Sequence, residues 1–147
     1  MEILNLPKIE CNIRKNGTKT EIFDIIRKKF IILNPEEWVR QNFVHYLINQ
    51  LNYPRSLFKV ESGMSYNDLR KRTDILVYDR EANPYLLVEC KSYKTKLNQA
   101  TLEQVGVYNK TLGAKYIVIT NGLNHFCCQL SKEGTYEFLS QIPEFDS

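Results

Sequence analysis

Asp74, Glu89 and Lys91 are the residues whose types and spacing point most directly to chemistry. Asp74 opens the run Asp74-Ile75-Leu76-Val77-Tyr78-Asp79; Glu89 and Lys91 close the run Pro84-Tyr85-Leu86-Leu87-Val88-Glu89-Cys90-Lys91. Two apolar runs around a polar loop read as a β-hairpin. With Arg80-Glu81-Ala82-Asn83 as the loop, Asp79 pairs with Pro84, Tyr78 with Tyr85 and Asp74 with Glu89. Side chains alternate along a strand. Thr73, Ile75, Val77, Leu86, Val88 and Cys90 then share one face, and Arg72, Asp74, Leu76, Leu87, Glu89 and Lys91 the other. Opposed carboxylates have Cβ atoms roughly 5 Å apart and repel. A bound divalent cation relieves that repulsion. Phosphodiester hydrolysis needs a neutralised phosphate and an activated water, and carboxylate-bound Mg²⁺ suits both needs. A lysine alongside orients the water and steadies developing charge. The plainer alternative is an Asp74–Lys91 ion pair on a solvated face, worth little. The apolar flanks make both strands look central, which favours the site.

Glu36 lies on a helical stripe with Arg40, Phe43 and Leu47, so it points toward a sheet with Arg40 as its i+4 partner. It either reaches the metal, directly or through water, or stays in solvent and favours the helix dipole. Glu37 is better explained as a cap. Gln104 and Tyr108 are four apart and stack on one face of a second helix. They can donate to phosphate oxygens or hold a water; spacing alone favours ordinary helix polarity and a packed aromatic. Arg70, Lys71 and Arg72 precede the Asp74 strand, and Lys94 and Lys96 follow Lys91. Such groups suit phosphate contacts, which position nucleic acid without reading it. Around the Asn16-Gly17 turn, Arg14, Lys15 and Lys19 read better as solvated charge.

The elements that must carry these groups are legible in the pattern. Ile9 to Ile13 alternates apolar and polar residues, Asn16-Gly17 supplies a hairpin turn, Glu21 to Ile26 resumes a β-like pattern, and Phe30 to Leu33 is a further short strand. Asn34-Pro35-Glu36-Glu37 starts a helix, with Asn34 as N-cap, Pro35 first, and Glu37 at the capping-box position. The helix runs to about Leu51 on an apolar stripe of Val39, Phe43, Val44, Leu47 and Leu51. Leu57 to Ser62 is an expected strand, Asn98 to Leu112 a second helix closed by Gly113, and Ala114 to Thr120 a strand parallel to the Glu89 strand. Phe126 to Leu130 and Tyr136 to Leu139 make a final hairpin. This order implies an α/β fold with a mixed central β-sheet flanked by helices and a β-hairpin extension at the N-terminus. We expect one domain over 1–147: a β-rich extension over 1–33, a catalytic core over 34–130, and a final strand and tail over 131–147.

The 147 residues suffice for one real core, and 43% hydrophobic with 25% charged residues fits a soluble globular chain. A net charge of +3 neither demands nor excludes nucleic acid, so local clustering decides. Neither a signal peptide nor a membrane span of ~20 apolar residues is legible. Cys11, Cys90, Cys127 and Cys128 form no CxxC pair and stand at no zinc spacing from His45 or His125. Four reduced thiols in a cytoplasmic protein are expected, with Cys127 and Cys128 on opposite faces of a strand.

Asp74, fourteen residues, then Glu89-Cys90-Lys91 resembles the PD-(D/E)XK nuclease superfamily. Pro35-Glu36-Glu37-Trp38-Val39-Arg40-Gln41, Leu51-Asn52-Tyr53-Pro54, Arg72-Thr73-Asp74-Ile75, Val88-Glu89-Cys90-Lys91, Gln104-Val105-Gly106-Val107-Tyr108 and Ile119-Thr120-Asn121-Gly122 are similar to the N-terminal nuclease domain of type I restriction enzyme R subunits, over roughly residues 20 to 130. The resemblance implies a restriction-endonuclease-like core and Mg²⁺-dependent DNA cleavage, with Mn²⁺ as a substitute. It implies metal ligation by Asp74, Glu89 and the Cys90 backbone carbonyl, with Lys91 serving the water. Glu36 matches the family's helix glutamate, and Gln104 with Tyr108 matches a QxxxY element. Thr73 replaces the proline that names the superfamily. With no GxxxxGK[ST] loop, the expectation is a stand-alone nuclease domain that uses no ATP.

The leading reading is a metal-dependent endonuclease acting on DNA with little intrinsic sequence specificity. RNA stays open as substrate, and a homodimer stays open because many related nucleases act in pairs. The alternative is a non-catalytic module of the same fold that binds nucleic acid or a partner protein.

Overall fold

In the computed structural model, whose described residues are 1–59 and 75–146, the Asn16-Gly17 pair turns the chain back on itself as expected. Gly17 takes a positive φ of 66°, which a hairpin turn of this kind requires. β1 (Ile13–Asn16), β2 (Lys19–Asp24) and β3 (Lys29–Ile32) follow as an antiparallel meander in that order. The first strand begins at Ile13, not Ile9, and β2 stops at Asp24, not Ile26. Asp24 is the physical reason for the second stop. Its Oδ1 accepts the backbone N–H groups of Ile26 (2.8 Å) and Arg27 (3.0 Å), a local turn that competes with the ladder.

α1 (Pro35–Asn49) starts where the sequence places it. Asn34 is extended at φ −134°, and its Oδ1 accepts the Glu37 N–H at 2.7 Å. Val39, Phe43, Val44 and Leu47 pack into a core with Ile75, Val77, Leu86, Val88 and Cys90. Burial does not stop at that stripe: Glu37, Arg40, Gln41, Asn42 and His45 are buried too. The helix has neighbours beyond the sheet, since Arg40 reaches Asp24 of the meander and the Trp38 indole donates to the Glu2 carbonyl at 2.8 Å.

After a single 3-10 turn at Arg55–Leu57, Phe58 forms an isolated bridge with Val77, and the Lys59 N–H donates to Leu76 at 2.8 Å. The rest of the expected Leu57–Ser62 strand lies outside the described residues. The central sheet contains β4 (Ile75–Tyr78), β5 (Pro84–Cys90), β6 (Tyr116–Thr120), β7 (His125–Leu130) and β8 (Tyr136–Leu139), in that spatial order. β5 and β6 are parallel, and the other neighbours are antiparallel. α2 (Gln99–Leu112) makes the connection between the parallel pair. Asn98 caps it by accepting the Thr101 N–H at 3.0 Å, and Gly113 ends it in the left-handed conformation at φ 78°.

The two faces of the sheet carry separate cores. Ile75, Val77, Leu86, Val88, Cys90, Val118 and Cys127 face α1. Leu76, Leu87, Ile117, Ile119 and Cys128 face α2, where Val105 and Ala114 join them. Cys127 and Cys128 therefore stand on opposite faces, as expected, and all four cysteines are free. This is the anticipated α/β architecture, a mixed sheet between helices with an N-terminal β extension, consistent with a restriction-endonuclease-like fold.

The ends of the chain pack back onto this frame. The Asn5 N–H donates to the Gly122 carbonyl at 2.8 Å, and the His125 Nε2 lies 3.0 Å from the Asn5 carbonyl. A carbonyl only accepts, so Nε2 carries the proton and Nδ1 accepts from the Thr120 hydroxyl at 2.7 Å. At the other end, the Phe145 N–H donates to Leu51 at 2.9 Å, and its ring packs edge-on to Tyr53 and tilted against Tyr85. Among the described residues no helix is long and apolar enough to cross a membrane.

Candidate active site

Glu89 and Lys91 meet at the C-terminal end of β5, a strand flanked on both sides by others. Strand alternation sets this up. Leu86, Val88 and Cys90 are fully buried toward α1, which turns Leu87, Glu89 and Lys91 toward α2. The Lys91 Nζ lies 3.3 Å from the Glu89 Oε2, and their side chains are 18% and 15% exposed. The pair is thus mostly withdrawn from water but keeps an exposed edge. The backbone beneath is fixed: Glu89 pairs with Ile119, and the Lys91 N–H donates to the Thr120 carbonyl at 2.8 Å.

The expected partner acid, Asp74, lies outside the described residues, as do Arg70, Lys71 and Arg72. The hairpin that follows it has the anticipated register, with Ile75 opposite Val88, Leu76 opposite Leu87 and Val77 opposite Leu86. The turn end differs: the register shifts after Val77, so Tyr78 pairs with Pro84 and not with Tyr85. Asp79 accounts for this. Its Oδ1 accepts the N–H groups of Glu81 and Asn83, each at 2.9 Å, and so closes a turn that absorbs one residue.

Glu36 is half-buried in the first turn of α1. That helix lies on the Cys90 side of the sheet, whereas Glu89 faces the other side. Both groups are nonetheless at the same end of the sheet. A Cβ built on Gly122, just past β6, would come within 3.1 Å of the Val39 Cγ2, which places the start of α1 near the ends of β5 and β6. The same Cβ would lie 2.8 Å from Leu4, and φ is 86°, so glycine is required there.

Arg40 differs from expectation. It pairs with Glu37, three residues before it, and with Asp24 of β2. The Gln41 Nε2 also donates to the Glu37 Oε2 at 3.0 Å. The Glu37 carboxylate is therefore committed to Arg40 and Gln41, and what joins the cap is its backbone N–H, which Asn34 accepts. Burial alone would raise the Asp24 carboxyl, but the Arg40 charge and two backbone N–H donors hold it below the usual carboxylate range. Nothing in local spacing announces this triad, since Asp24 and Arg40 come from different elements.

Gln104 and Tyr108 sit on α2, the layer that Glu89 faces. Gln104 is exposed, and Tyr108 is half-buried against the α2-side core. Lys94 and Lys96 are exposed in the β5–α2 connection. Asn121, which sequence reasoning gave no individual role, anchors that connection. Its amide donates to the Thr95 carbonyl at 2.8 Å, while its Oδ1 accepts the N–H groups of Leu123 and Asn124.

The donor atoms at this end suit a hard cation. The Glu89 carboxylate and the Cys90 carbonyl are oxygen donors, while the Cys90 thiol is buried on the opposite face and offers no soft ligand. Among the described residues no group of three or more His, Cys, Asp or Glu converges as a metal site; the set anticipated from sequence includes Asp74, outside them.

The family model for the type I restriction enzyme R protein N terminus matches residues 35–143, and the chain belongs to that family. No curated protein and no solved structure matches the chain.

Proposed function

We propose that this member of the type I restriction enzyme R protein N-terminal family is a metal-dependent nuclease that hydrolyses DNA phosphodiesters with little intrinsic sequence specificity. The observation that carries the reading is the Glu89–Lys91 pair, 3.3 Å apart, on the end of a central strand. Such a pair has a structural cost: both charges lose solvent, and replacing a buried pair by apolar residues is often neutral or stabilising. A chemical role explains why it is held there.

Asp74, Glu89 and the Cys90 carbonyl would hold Mg²⁺, with Mn²⁺ as a substitute, and Glu36 would complete the outer ligation. When bound, the ion supplies charge neutralisation at the phosphate and acidifies a water. Lys91 orients the attacking water with its ammonium and donates to the negative charge that develops on the phosphate oxygens. Glu89 restrains the ammonium, so that little reorganisation is needed. Gln104 and Tyr108 donate from α2 to the phosphate, and Lys94 and Lys96 hold the strand along the β5–α2 connection. The charged contacts expected at phosphates read no bases, hence the lack of specificity.

The test is supercoiled plasmid incubated with the protein and Mg²⁺ or Mn²⁺, with EDTA and Lys91→Ala as controls. Nicking by the wild type and not by the variant is expected. Equal activity in both would contradict the assignment.

A further inference from the structure

We propose that Phe126 and Phe138 form a stacking platform for an unpaired nucleobase beside the Glu89–Lys91 pair, so that the protein prefers single-stranded over duplex DNA. The inference deepens the nuclease reading and rests on it. In the sheet register Glu89 stands next to Ile119, and Ile119 next to Phe126, so the three lie in one row. Strands ~4.8 Å apart put Glu89 and Phe126 about 10 Å apart, the length of about three stacked nucleotides at ~3.4 Å each. Phe138 pairs with Cys128 in the adjoining row and faces the same side.

Both rings are open to solvent, Phe126 by 46% and Phe138 by 66%. Tyr136, on the same face of β8, is instead tucked under α2, where its hydroxyl meets the Asn109 amide at 3.1 Å. α2 therefore covers one end of this face and leaves the two phenylalanines uncovered. A cleft of ≈ 170 Å³ runs between them and the start of α2, lined also by Leu97, Leu102 and Ile119. It is smaller than the roughly 300 Å³ at which pockets for drug-sized molecules begin, and it suits a single planar ring. Charge completes the match: Lys91, Lys94 and Lys96 lead along one connection into Leu97, so a phosphate track ends at the apolar cleft. Phosphate contacts beside aromatic rings are the arrangement by which proteins hold unpaired strands.

The test is fluorescence anisotropy in EDTA, with a labelled single-stranded oligonucleotide and the duplex of the same sequence. Phe126→Ala/Phe138→Ala should weaken single-strand binding about tenfold, within the range for loss of base stacking, and change duplex binding less than about twofold. Phe126→Trp should keep wild-type affinity. Phe126→Leu, which keeps the apolar bulk, should lose most of the single-strand effect. Equal losses on both ligands, or no loss, would overturn the platform. So would light scattering showing a wild-type dimer that the double variant dissolves, because the face would then join copies of this chain. Plasmid nicking by the wild type, scored separately, decides the nuclease reading: nicking with unchanged single-strand affinity in the double variant sinks the platform alone.

Discussion

The two faces of the central sheet treat charge in opposite ways. On the α1 side, Asp24, Glu37 and Arg40 are 1%, 7% and 5% exposed, and each carboxylate accepts further hydrogen bonds from the chain. On the α2 side, Glu89 and Lys91 keep part of their surface in water, and Glu89 stands two strand spacings from the uncovered ring of Phe126. The first arrangement is closed by its own hydrogen bonds and links the N-terminal meander to the helix. The second is left open toward a surface of lysines and apolar side chains. Acidic residues alone do not mark the structural cluster; burial and the destination of its lone pairs do.

That contrast can be broken first at Arg40. Arg40→Ala should destabilise the fold by about 3–5 kcal/mol, because it strands two buried carboxylates; urea unfolding measures the loss. Lys91→Ala should do the reverse. Its cleavage rate should fall about 10²–10³-fold, as when a group that stabilises transition-state charge is removed, while its unfolding free energy should fall by less than that of Arg40→Ala, because one carboxylate is left without its partner instead of two and Glu89 still reaches water. A large loss of stability in Lys91→Ala would make the second pair structural like the first.

Acid should reach the α1 side in two stages. Burial, then the nearby Arg55 charge, holds the His45 imidazole below its ordinary value, and burial does the same for His125. Their folded forms favour the neutral ring, so their contribution is complete above the unfolded value of about 6.5 and declines as pH falls below it. For His45, Nε2 is buried with no partner among the described residues, so a proton there has no acceptor to meet. Asp24, held low, contributes stability present above about pH 3.9 and lost as pH falls through its depressed folded value. Urea midpoints measured against pH should show both stages, and Asp24→Asn should abolish the lower one. The smallest effects belong to the other face: Lys94→Ala and Lys96→Ala should each lower the salt slope of DNA binding by about 1 and leave stability unchanged.

Local chemistry was the legible part of the fold. Asn34-Pro35 and Asn98 start the two helices, Gly113 ends the second, and alternation in β4 and β5 places Glu89 and Lys91 on one face, because each signal acts within a few residues. What escaped was set by tertiary partners. An i+4 rule assigned Arg40 to Glu36, yet Asp24 arrives from another sheet and Glu37 shares the guanidinium. The apolar stripe accounts for one side of α1, whose other sides are buried against groups far away in sequence. Phe126 and Phe138 looked like ordinary strand residues; that α2 stops short of them is a matter of packing and not of pattern.

The central claim is that a divalent cation belongs to the Glu89 end of the sheet and not to the acidic cluster under α1. Titration of isotope-labelled protein with Mn²⁺, followed by paramagnetic broadening of backbone amide signals, tests it directly. The amides of Glu89, Cys90 and Lys91 should broaden first, while those of Asp24 and Glu37 persist. Early loss of the Asp24 and Glu37 signals with those of Glu89 to Lys91 intact would contradict it.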